Sequence, residues 1–217
     1  MELFRSCWAA LREAVAGLDD AQFGEPSGCT GWLIRDLVCH LVIDSQDVLI
    51  TLATPADSPV TRDAATYWEV VEALPDDDPL DALTMRLAAA YGDPSLLKFH
   101  LDDVGSAAGR AAGLADPDAR VSTRGQVLTV RDYLDAYVLE WTLHHLDLIA
   151  HLPHAAPPPA AGPAFSRKLF ETITGAALPA SWADIDVLLV GTGRRPPTPA
   201  EQADLAAVGA RVPVILS

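Results

Sequence analysis

The chain is poor in cysteine, and the spacing of the few cysteines excludes two classes of protein. Its 217 residues include Cys7, Cys29 and Cys39, and no two of these form a CxxC pair. An odd number at such spacings indicates neither a disulfide framework nor a thiolate zinc site. Cys39 lies inside an apolar segment, so we expect it to be an inert core residue.

Basic residues and long apolar runs are also scarce. Lysine and arginine together number 15 against 30 acidic residues, which gives a formal net charge of −15. Because nucleic-acid phosphates require a basic surface, we expect no nucleic-acid partner. No uninterrupted apolar run reaches the roughly 18 residues of a membrane span. The N-terminal residues 1–5 lack the basic and apolar segments of a secretory signal. We therefore expect a cytoplasmic protein without membrane contact.

Apolar residues at helical spacing are present through the first three quarters of the chain. The predicted helices span residues 2–17, 30–51, 62–74, 79–91 and 95–114, and a further long helix follows Thr129. Thr30 is an expected N-cap, and Thr129 with Asp132 resembles a capping box. Residues 116–125 are expected to form a loop. Four or five amphipathic helices joined by modest loops predict a mostly α-helical bundle over residues 1–152.

The pattern changes after a proline-rich segment, residues 153–163, which predicts a semi-rigid linker. Beyond it we expect a helix at 164–177, a strand at 185–190, a helix opened by a capping box at Thr198 and Glu201, and a short strand at 212–216. The sequence therefore predicts a small α+β C-terminal domain at 164–217. Because about fifty residues bury little surface alone, this domain should dock on the bundle.

Ionisable residues follow one face of the long helix after Thr129. Glu140 and His144 are four residues apart, so a helix places them one above the other. The same face carries Tyr133, Tyr137, Asp147 and His151. Buried ionisable groups are unfavourable unless they are paired or bind a metal. The pattern predicts that Glu140 and His144 have a common partner, whereas His145 points away.

A third ligand is available from the second predicted helix, where His40, Asp44 and Asp47 share a face. His40, Glu140 and His144 would form a His-His-carboxylate set with an open coordination position, typical of catalytic divalent-metal sites. This donor set suits Zn²⁺ best, with Ni²⁺ or Fe²⁺ as alternatives. An ExxxH pair also arises by chance, and a histidine on an apolar face is often a hydrogen-bonded core residue. Asp44 or Asp147 could hold an imidazole N–H and fix its tautomer.

Three motifs in order resemble the mycothiol-dependent maleylpyruvate isomerase family. They are Gly31-Trp32 with Arg35-Asp36-Leu37-Val38 and His40-Leu41, then Glu140-x-x-x-His144-x-x-Asp147, then Gly191-Thr192-Gly193-Arg194. The resemblance implies a DinB-like four-helix bundle followed by a small C-terminal α/β domain. It also implies that His40, Glu140 and His144 are the divalent-metal ligands and that Arg194 is catalytic. The family often has arginine three residues before the glutamate, where this chain has Tyr137.

The resemblance implies a metalloenzyme that uses mycothiol as a thiol cosubstrate. A metal-bound thiol loses its proton near neutral pH, so the thiolate could add to a small electrophile, giving S-transfer or cis–trans isomerisation. Arg194 could clamp a substrate carboxylate, or it could be a solvated arginine. Two alternatives remain open: a DinB-like hydrolase in which the metal activates water, and a non-catalytic helical module that binds a small molecule. The oligomeric state, monomer or homodimer, is also open.

Overall fold

The structure, a computed structural model, describes residues 1–71 and 79–216. The described residues contain eight α-helices and four short strands. The helices are α1 (Glu2–Ala16), α2 (Ile34–Leu52), α3 (Pro79–Tyr91), α4 (Pro94–Leu114), α5 (Val130–Ile149), α6 (Ala161–Thr174), α7 (Asp184–Gly191) and α8 (Pro199–Val208). The strands are β1 (Val70–Val71), β2 (Arg120–Thr123), β3 (Gln126–Thr129) and β4 (Ile215–Leu216). The predicted mostly helical class is confirmed. No described helix is long and apolar enough to cross a membrane.

A four-helix core forms from α1, α2, α4 and α5. Helix α2 packs mainly on α4, and α1 contacts both α4 and α5. The rings of Trp8 and Trp141 stack at the centre with centroids 3.8 Å apart, and Phe4 lies 4.6 Å from Trp141. The Trp8 indole N–H donates to the carbonyl of Gly105 on α4 at 2.8 Å, so this large buried side chain leaves no unpaired donor. These aromatic contacts fix α1 and α4 against α5.

Hydrogen bonds at the N-terminal ends explain where α2 and α5, the helices that carry His40 and Glu140, begin. Helix α5 starts as predicted, because the Thr129 hydroxyl accepts from the Asp132 N–H at 3.0 Å. The predicted N-cap at Thr30 is wrong, since α2 begins at Ile34 and Leu33 is its N-cap. Residues before it form a tight loop in which the Ser27 N–H donates to the Trp32 carbonyl. The Asp36 carboxylate then accepts from the Leu33 N–H at 2.9 Å and closes the first turn.

A β-hairpin replaces the loop expected before α5. Strands β2 and β3 pair antiparallel from Arg120↔Thr129 to Thr123↔Gln126. The turn residues Arg124 and Gly125 have φ of 49° and 76°, the two positive values of a tight hairpin turn. Arginine is an uncommon residue at such a position, so residues 120–129 carry no recognisable hairpin motif.

The helix predicted at 62–74 is wrong over its described part, 62–71. The N–H groups of Thr61 and Arg62 donate to the Val127 carbonyl of β3, so tertiary pairing replaces a helical hydrogen-bond ladder. Val70 and Val71 form β1, which pairs antiparallel with β4 near the C-terminus. Residues 72–74 lie outside the described part of the chain.

The C-terminal segment is more helical than predicted. The strand expected at 185–190 is wrong, because these residues belong to α7, whose first turn carries Asp184 and Asp186, favourable at a helix N-terminus. A short branched apolar run fits a buried helix as well as a strand. The helix opened by the Thr198–Glu201 capping box is confirmed as α8. Of the strand expected at 212–216, only Ile215–Leu216 forms, and α6 already begins inside the predicted linker.

The C-terminal helices dock on α5. Leu139, Leu143 and Leu146 of α5 form a second apolar cluster with Phe170 of α6 and Leu188 of α7. The other faces of α5 belong to the bundle core, so this helix is buried over most of its length. The predicted division into residues 1–152, 153–163 and 164–217 stays a prediction.

Candidate metal centre

Helices α2 and α5 bring the three predicted ligands together. The Nε2 atoms of His40 and His144 lie 3.1 Å apart. The Glu140 Oε1 atom lies 3.1 Å from Nε2 of His144 and 3.7 Å from Nε2 of His40. The side chains are one-tenth to one-quarter exposed, so the cluster is largely shielded but reachable. Whether they bind a metal stays a prediction.

Asp44, one turn after His40 on α2, joins the same cluster. Its Oδ2 atom lies 3.4 Å from Nε2 of His40. One ligand atom from each of His40, Asp44, Glu140 and His144 lies within 4.8 Å of all the others. Ligands about 2.0–2.2 Å from a shared tetrahedral cation lie roughly 3.3–3.6 Å from one another. Four of the six separations are 3.1–3.7 Å, close to the edges of a metal coordination polyhedron, and the two from Asp44 to Glu140 and His144 are within 4.8 Å.

The opposite edge of the His144 ring contacts a fully paired carboxylate. Nδ1 of His144 lies 3.1 Å from Oδ2 of Asp147, whose side chain is 1% exposed. Arg194 binds the same carboxylate twice, Nε to Oδ1 at 2.8 Å and Nη2 to Oδ2 at 2.9 Å. The Cys29 thiol donates to Oδ2 at 3.3 Å. Because an ionised carboxylate only accepts, Nδ1 of His144 carries a proton.

The backbone brings these distant residues onto Asp147. The Gly28 N–H donates to the Asp147 carbonyl at 2.8 Å, and a Cβ at position 28 would lie 2.8 Å from the Asp147 Cα. Only glycine permits this approach, which places Cys29 beside the carboxylate. After α7, Gly193 adopts φ of +77°, the left-handed conformation that favours glycine, and the next residue is Arg194. The Gly-Thr-Gly-Arg motif therefore directs an arginine to α5.

Electrostatics differ on the two sides of His144. Burial would raise the pKa of Asp147, but hydrogen bonds from His144 and Arg194, with their charges, lower it to about 2. Burial would lower the pKa of His144, yet the Glu140 charge and hydrogen bonds to Asp147, Cys29 and Glu140 raise it well above its usual value. Burial raises the pKa of Asp44. In the absence of a cation, the raised pKa of His144 favours a protonated ring, whose Nε2–H faces Glu140 Oε1.

A cavity of about 360 Å³ lies beside the cluster. His40, Asp44 and Glu140 line it, together with Tyr67, Trp68, Glu69, Arg124, Gln126, Tyr137 and Leu216. Arg124 and Gln126 come from the β2–β3 hairpin, and Tyr67 and Trp68 from the segment expected to be helical. The sequence predicted the two helices that carry the candidate ligands, but it did not predict that the hairpin and residues 67–69 line the cavity.

The remaining candidates have structural contacts. His145 points away as predicted, with Nε2 3.0 Å from the Ala156 carbonyl. The rings of Tyr133 and Tyr137 pack 4.9 Å apart, next to Trp141. Asp47 is half-exposed near the Arg124 guanidinium, at 3.7 Å. The Arg194 guanidinium binds Asp147, and whether it also clamps a substrate carboxylate stays a prediction. The i, i+3 spacing of His144 and Asp147 indicates their contact. The sequence did not predict that Arg194 and Cys29 also bind Asp147.

The fold and the clustered ligands define a class, a helix bundle with a candidate metal centre between two of its helices. Residues 4–149 match the family model of the mycothiol maleylpyruvate isomerase N-terminal domain, which covers more than half of the chain. The chain therefore belongs to this family, as its motifs predicted. No curated protein sequence matches it significantly.

Two solved structures share the fold. They are crystal structures of a mycothiol-dependent maleylpyruvate isomerase and of a histidine-to-alanine mutant of it. Each has a TM-score of 0.56 and 16% sequence identity, covering 78% of this chain and 65% of the other. The chain thus spans less than two thirds of the length of these neighbours, and the likeness at this identity concerns the fold.

Proposed function

We propose that the chain is a divalent-metal-dependent enzyme that activates a low-molecular-weight thiol of the mycothiol type. The thiol would be transferred to a small electrophile or would catalyse its isomerisation. Family membership and the mycothiol-dependent isomerases of the same fold support the thiol. The observation that carries the proposal is the convergence of Nε2 of His40, Nε2 of His144 and Oε1 of Glu140 beside a cavity.

The residues present fit a divalent cation. Nδ1 of His144 donates to Asp147, so in the neutral ring Nε2 carries no proton and can only accept. Its lone pair then faces Glu140 Oε1, another acceptor, 3.1 Å away. Two acceptors at this distance repel each other unless a positive charge lies between or beside them. His40, Glu140 and His144 would hold the cation, and two imidazoles with a carboxylate suit Zn²⁺, Ni²⁺ or Fe²⁺. When bound, the cation supplies stabilisation of a thiolate near neutral pH.

The chain's own residues would orient the site and admit the substrate. Asp147 fixes the tautomer and the ring plane of His144, an arrangement that raises the basicity of a ligating imidazole. The cavity of about 360 Å³ falls in the range of small-molecule sites, roughly 300–1,000 Å³. We propose a small electrophile and a low-molecular-weight thiol as its partners. A cytoplasmic location and the absence of nucleic-acid and membrane partners remain part of this proposal.

Arg194 is proposed as a positioning residue. Its Nε and Nη2 are committed to Asp147, which in turn holds His144. Loss of Arg194 would therefore weaken metal binding through the imidazole, in addition to any effect on a substrate carboxylate. The conservative Arg194→Lys variant, which keeps one charge and loses the bidentate geometry, should recover part of the metal affinity lost in Arg194→Met.

The experiment combines metal content with thiol chemistry. Protein purified without chelator is incubated with mycothiol and monochlorobimane for S-transfer, or with mycothiol and maleylpyruvate for isomerisation. We expect a thiol conjugate or the isomer to form, and His40→Ala to abolish both. Metal-dependent turnover without thiol, with incorporation of water, would favour the hydrolase. A metal-free protein with neither activity would favour a binding module.

A further inference from the structure

We propose that Asp44 is a fourth protein ligand of the divalent cation. The inference rests on the proposed function for the presence of the cation, and it adds a residue that neither the family motifs nor the spacing argument assigned as a ligand. It converts a three-ligand set of two histidines and one carboxylate into a set of two histidines and two carboxylates.

The hydrogen bonds of the buried aspartates separate Asp44 from the others. Asp36, Asp44 and Asp147 are the aspartates buried within residues 1–71 and 79–216, at 2%, 5% and 1% exposed. Asp36 caps α2 through the Leu33 N–H, and Asp147 is bound by Arg194, His144 and Cys29. Oδ2 of Asp44 has no hydrogen-bond partner among the described residues. A buried carboxylate oxygen without a partner is strongly unfavourable, so this atom calls for a ligand.

The unpaired oxygen is directed into the cluster. It lies 3.4 Å from Nε2 of His40 without the geometry of a hydrogen bond. One carboxylate oxygen of Asp44 also lies within 4.8 Å of a ligand atom of Glu140 and of His144. His40 and Asp44 are four residues apart on α2, as Glu140 and His144 are on α5. Each helix therefore contributes one imidazole and one carboxylate from a single face. Two carboxylates and two neutral imidazoles would balance the charge of a divalent cation.

A fourth protein ligand bears on the choice of cation. If all four side chains remain bound, a thiol can join only a cation that accepts at least five ligands. Carboxylate-rich sets of this kind suit Fe²⁺, Ni²⁺ or Mn²⁺ at least as well as a four-coordinate Zn²⁺. A fourth protein ligand thus favours cations that accept five or more ligands.

The test measures affinity and coordination rather than activity. Zn²⁺ and Co²⁺ affinities are determined by competition with a chromophoric chelator for the native chain, Asp44→Ala, Asp44→Asn and the control Asp47→Ala. Asp47 is on the same helix, and its half-exposed side chain contacts Arg124 rather than the cluster. We expect roughly a 100-fold or greater loss of affinity for Asp44→Ala, beyond the 10–100-fold typical of residues that only support a ligand. The Co²⁺ visible spectrum should also change, and Asp47→Ala should match the native chain.

The outcomes are distinguishable. If the native chain binds the cation and Asp44→Ala binds it equally with an unchanged Co²⁺ spectrum, the Asp44 assignment is overturned, while His40, Glu140 and His144 stand. If the native chain binds no cation, the proposed function fails and this inference fails with it. Should Asp44→Ala not fold, the nearly isosteric Asp44→Asn gives the decisive affinity and spectrum.

Discussion

The two edges of the His144 ring lie in opposite environments. On the Nδ1 side, Asp147 receives hydrogen bonds from the ring, from Arg194 and from Cys29, and its oxygens are paired. On the Nε2 side, His40, Asp44 and Glu140 crowd together, and one buried carboxylate oxygen has no partner in the described chain. Helix α5 contributes residues to both sides, and only the Nδ1 side has its hydrogen bonds complete.

This difference separates scaffold from site. A saturated network holds a side chain in one orientation, because every alternative breaks several hydrogen bonds. An unsaturated cluster of buried acceptors is stable only when a positive charge joins it. The Nδ1 side, with Asp147, Arg194 and Cys29, therefore fixes the imidazole and is called the saturated side. The Nε2 side, with His40, Asp44 and Glu140, is where a cation would bind and is called the unsaturated side.

The largest effect is expected from removing a ligand on the unsaturated side. His144→Ala deletes the imidazole shared by both sides, and we expect bound metal to fall from about one equivalent to a small fraction of one. His145→Ala is the matched control, because its ring contacts the Ala156 carbonyl instead. Elemental analysis of protein purified without chelator gives the readout. Equal metal content in both variants would contradict the assignment.

The next effect comes from breaking the saturated side. Arg194→Met leaves the buried Asp147 carboxylate without its bidentate partner, and losing one partner of a buried pair costs about 3 kcal/mol of stability or more. Urea unfolding of metal-free protein measures this loss. The control is Arg195→Met, whose partners Asp186 and Glu201 are both partly exposed, so we expect a loss of roughly 1 kcal/mol or less. The comparison fails if the two variants are equally destabilised.

Acid should weaken the saturated side over a defined pH window. The pKa of Asp147 is about 2 in the folded chain against an ordinary value of 3.8. A lowered folded pKa means that this stability is complete above pH 3.8 and is lost as pH falls from 3.8 toward 2. The contribution is about 2 kcal/mol at neutral pH. Asp147→Asn should show a flatter dependence of unfolding free energy on pH in this window, and an unchanged slope would refute the role of Asp147.

The smallest effect concerns stability without metal on the unsaturated side. Asp44→Asn replaces an unpaired buried carboxylate with a neutral amide, so we expect the metal-free chain to be unchanged or stabilised by about 1 kcal/mol. Asp36→Asn weakens a capping acceptor and should destabilise by about 1 kcal/mol. Thermal unfolding in chelator compares the two. Strong destabilisation by Asp44→Asn would show that its oxygen is already satisfied.

The sequence predicted the features of the site that depend on local geometry. Glu140 and His144 share a face because a helix fixes their spacing, and the Thr129 cap sets the start of that helix. The link to His40 on another helix rested on two further arguments: a metal site needs a third ligand, and the family resemblance implies that His40 is that ligand. The mostly helical class followed from apolar periodicity.

The features that were missed depend on contacts between distant segments. Arg124 and Gln126 reach the cavity through a hairpin whose Arg-Gly turn is not a common signal. Arg194 and Cys29 meet on Asp147 only after α7 and the loop before α2 have packed on α5. The apolar run at 185–190 belongs to helix α7 and packs against α6. A buried strand and a buried helix both require apolar residues, so this run alone could not distinguish them.

The most direct measurement is a crystal structure of the chain soaked with Zn²⁺ or Ni²⁺, with anomalous data collected at the metal edge. The account predicts one strong peak between α2 and α5, about 2.0–2.2 Å from Nε2 of His40, Nε2 of His144 and Oε1 of Glu140. Density for Asp44 Oδ2 at the same distance would add the fourth ligand. A structure with the three side chains ordered and no anomalous peak between them, at saturating metal, would contradict the account.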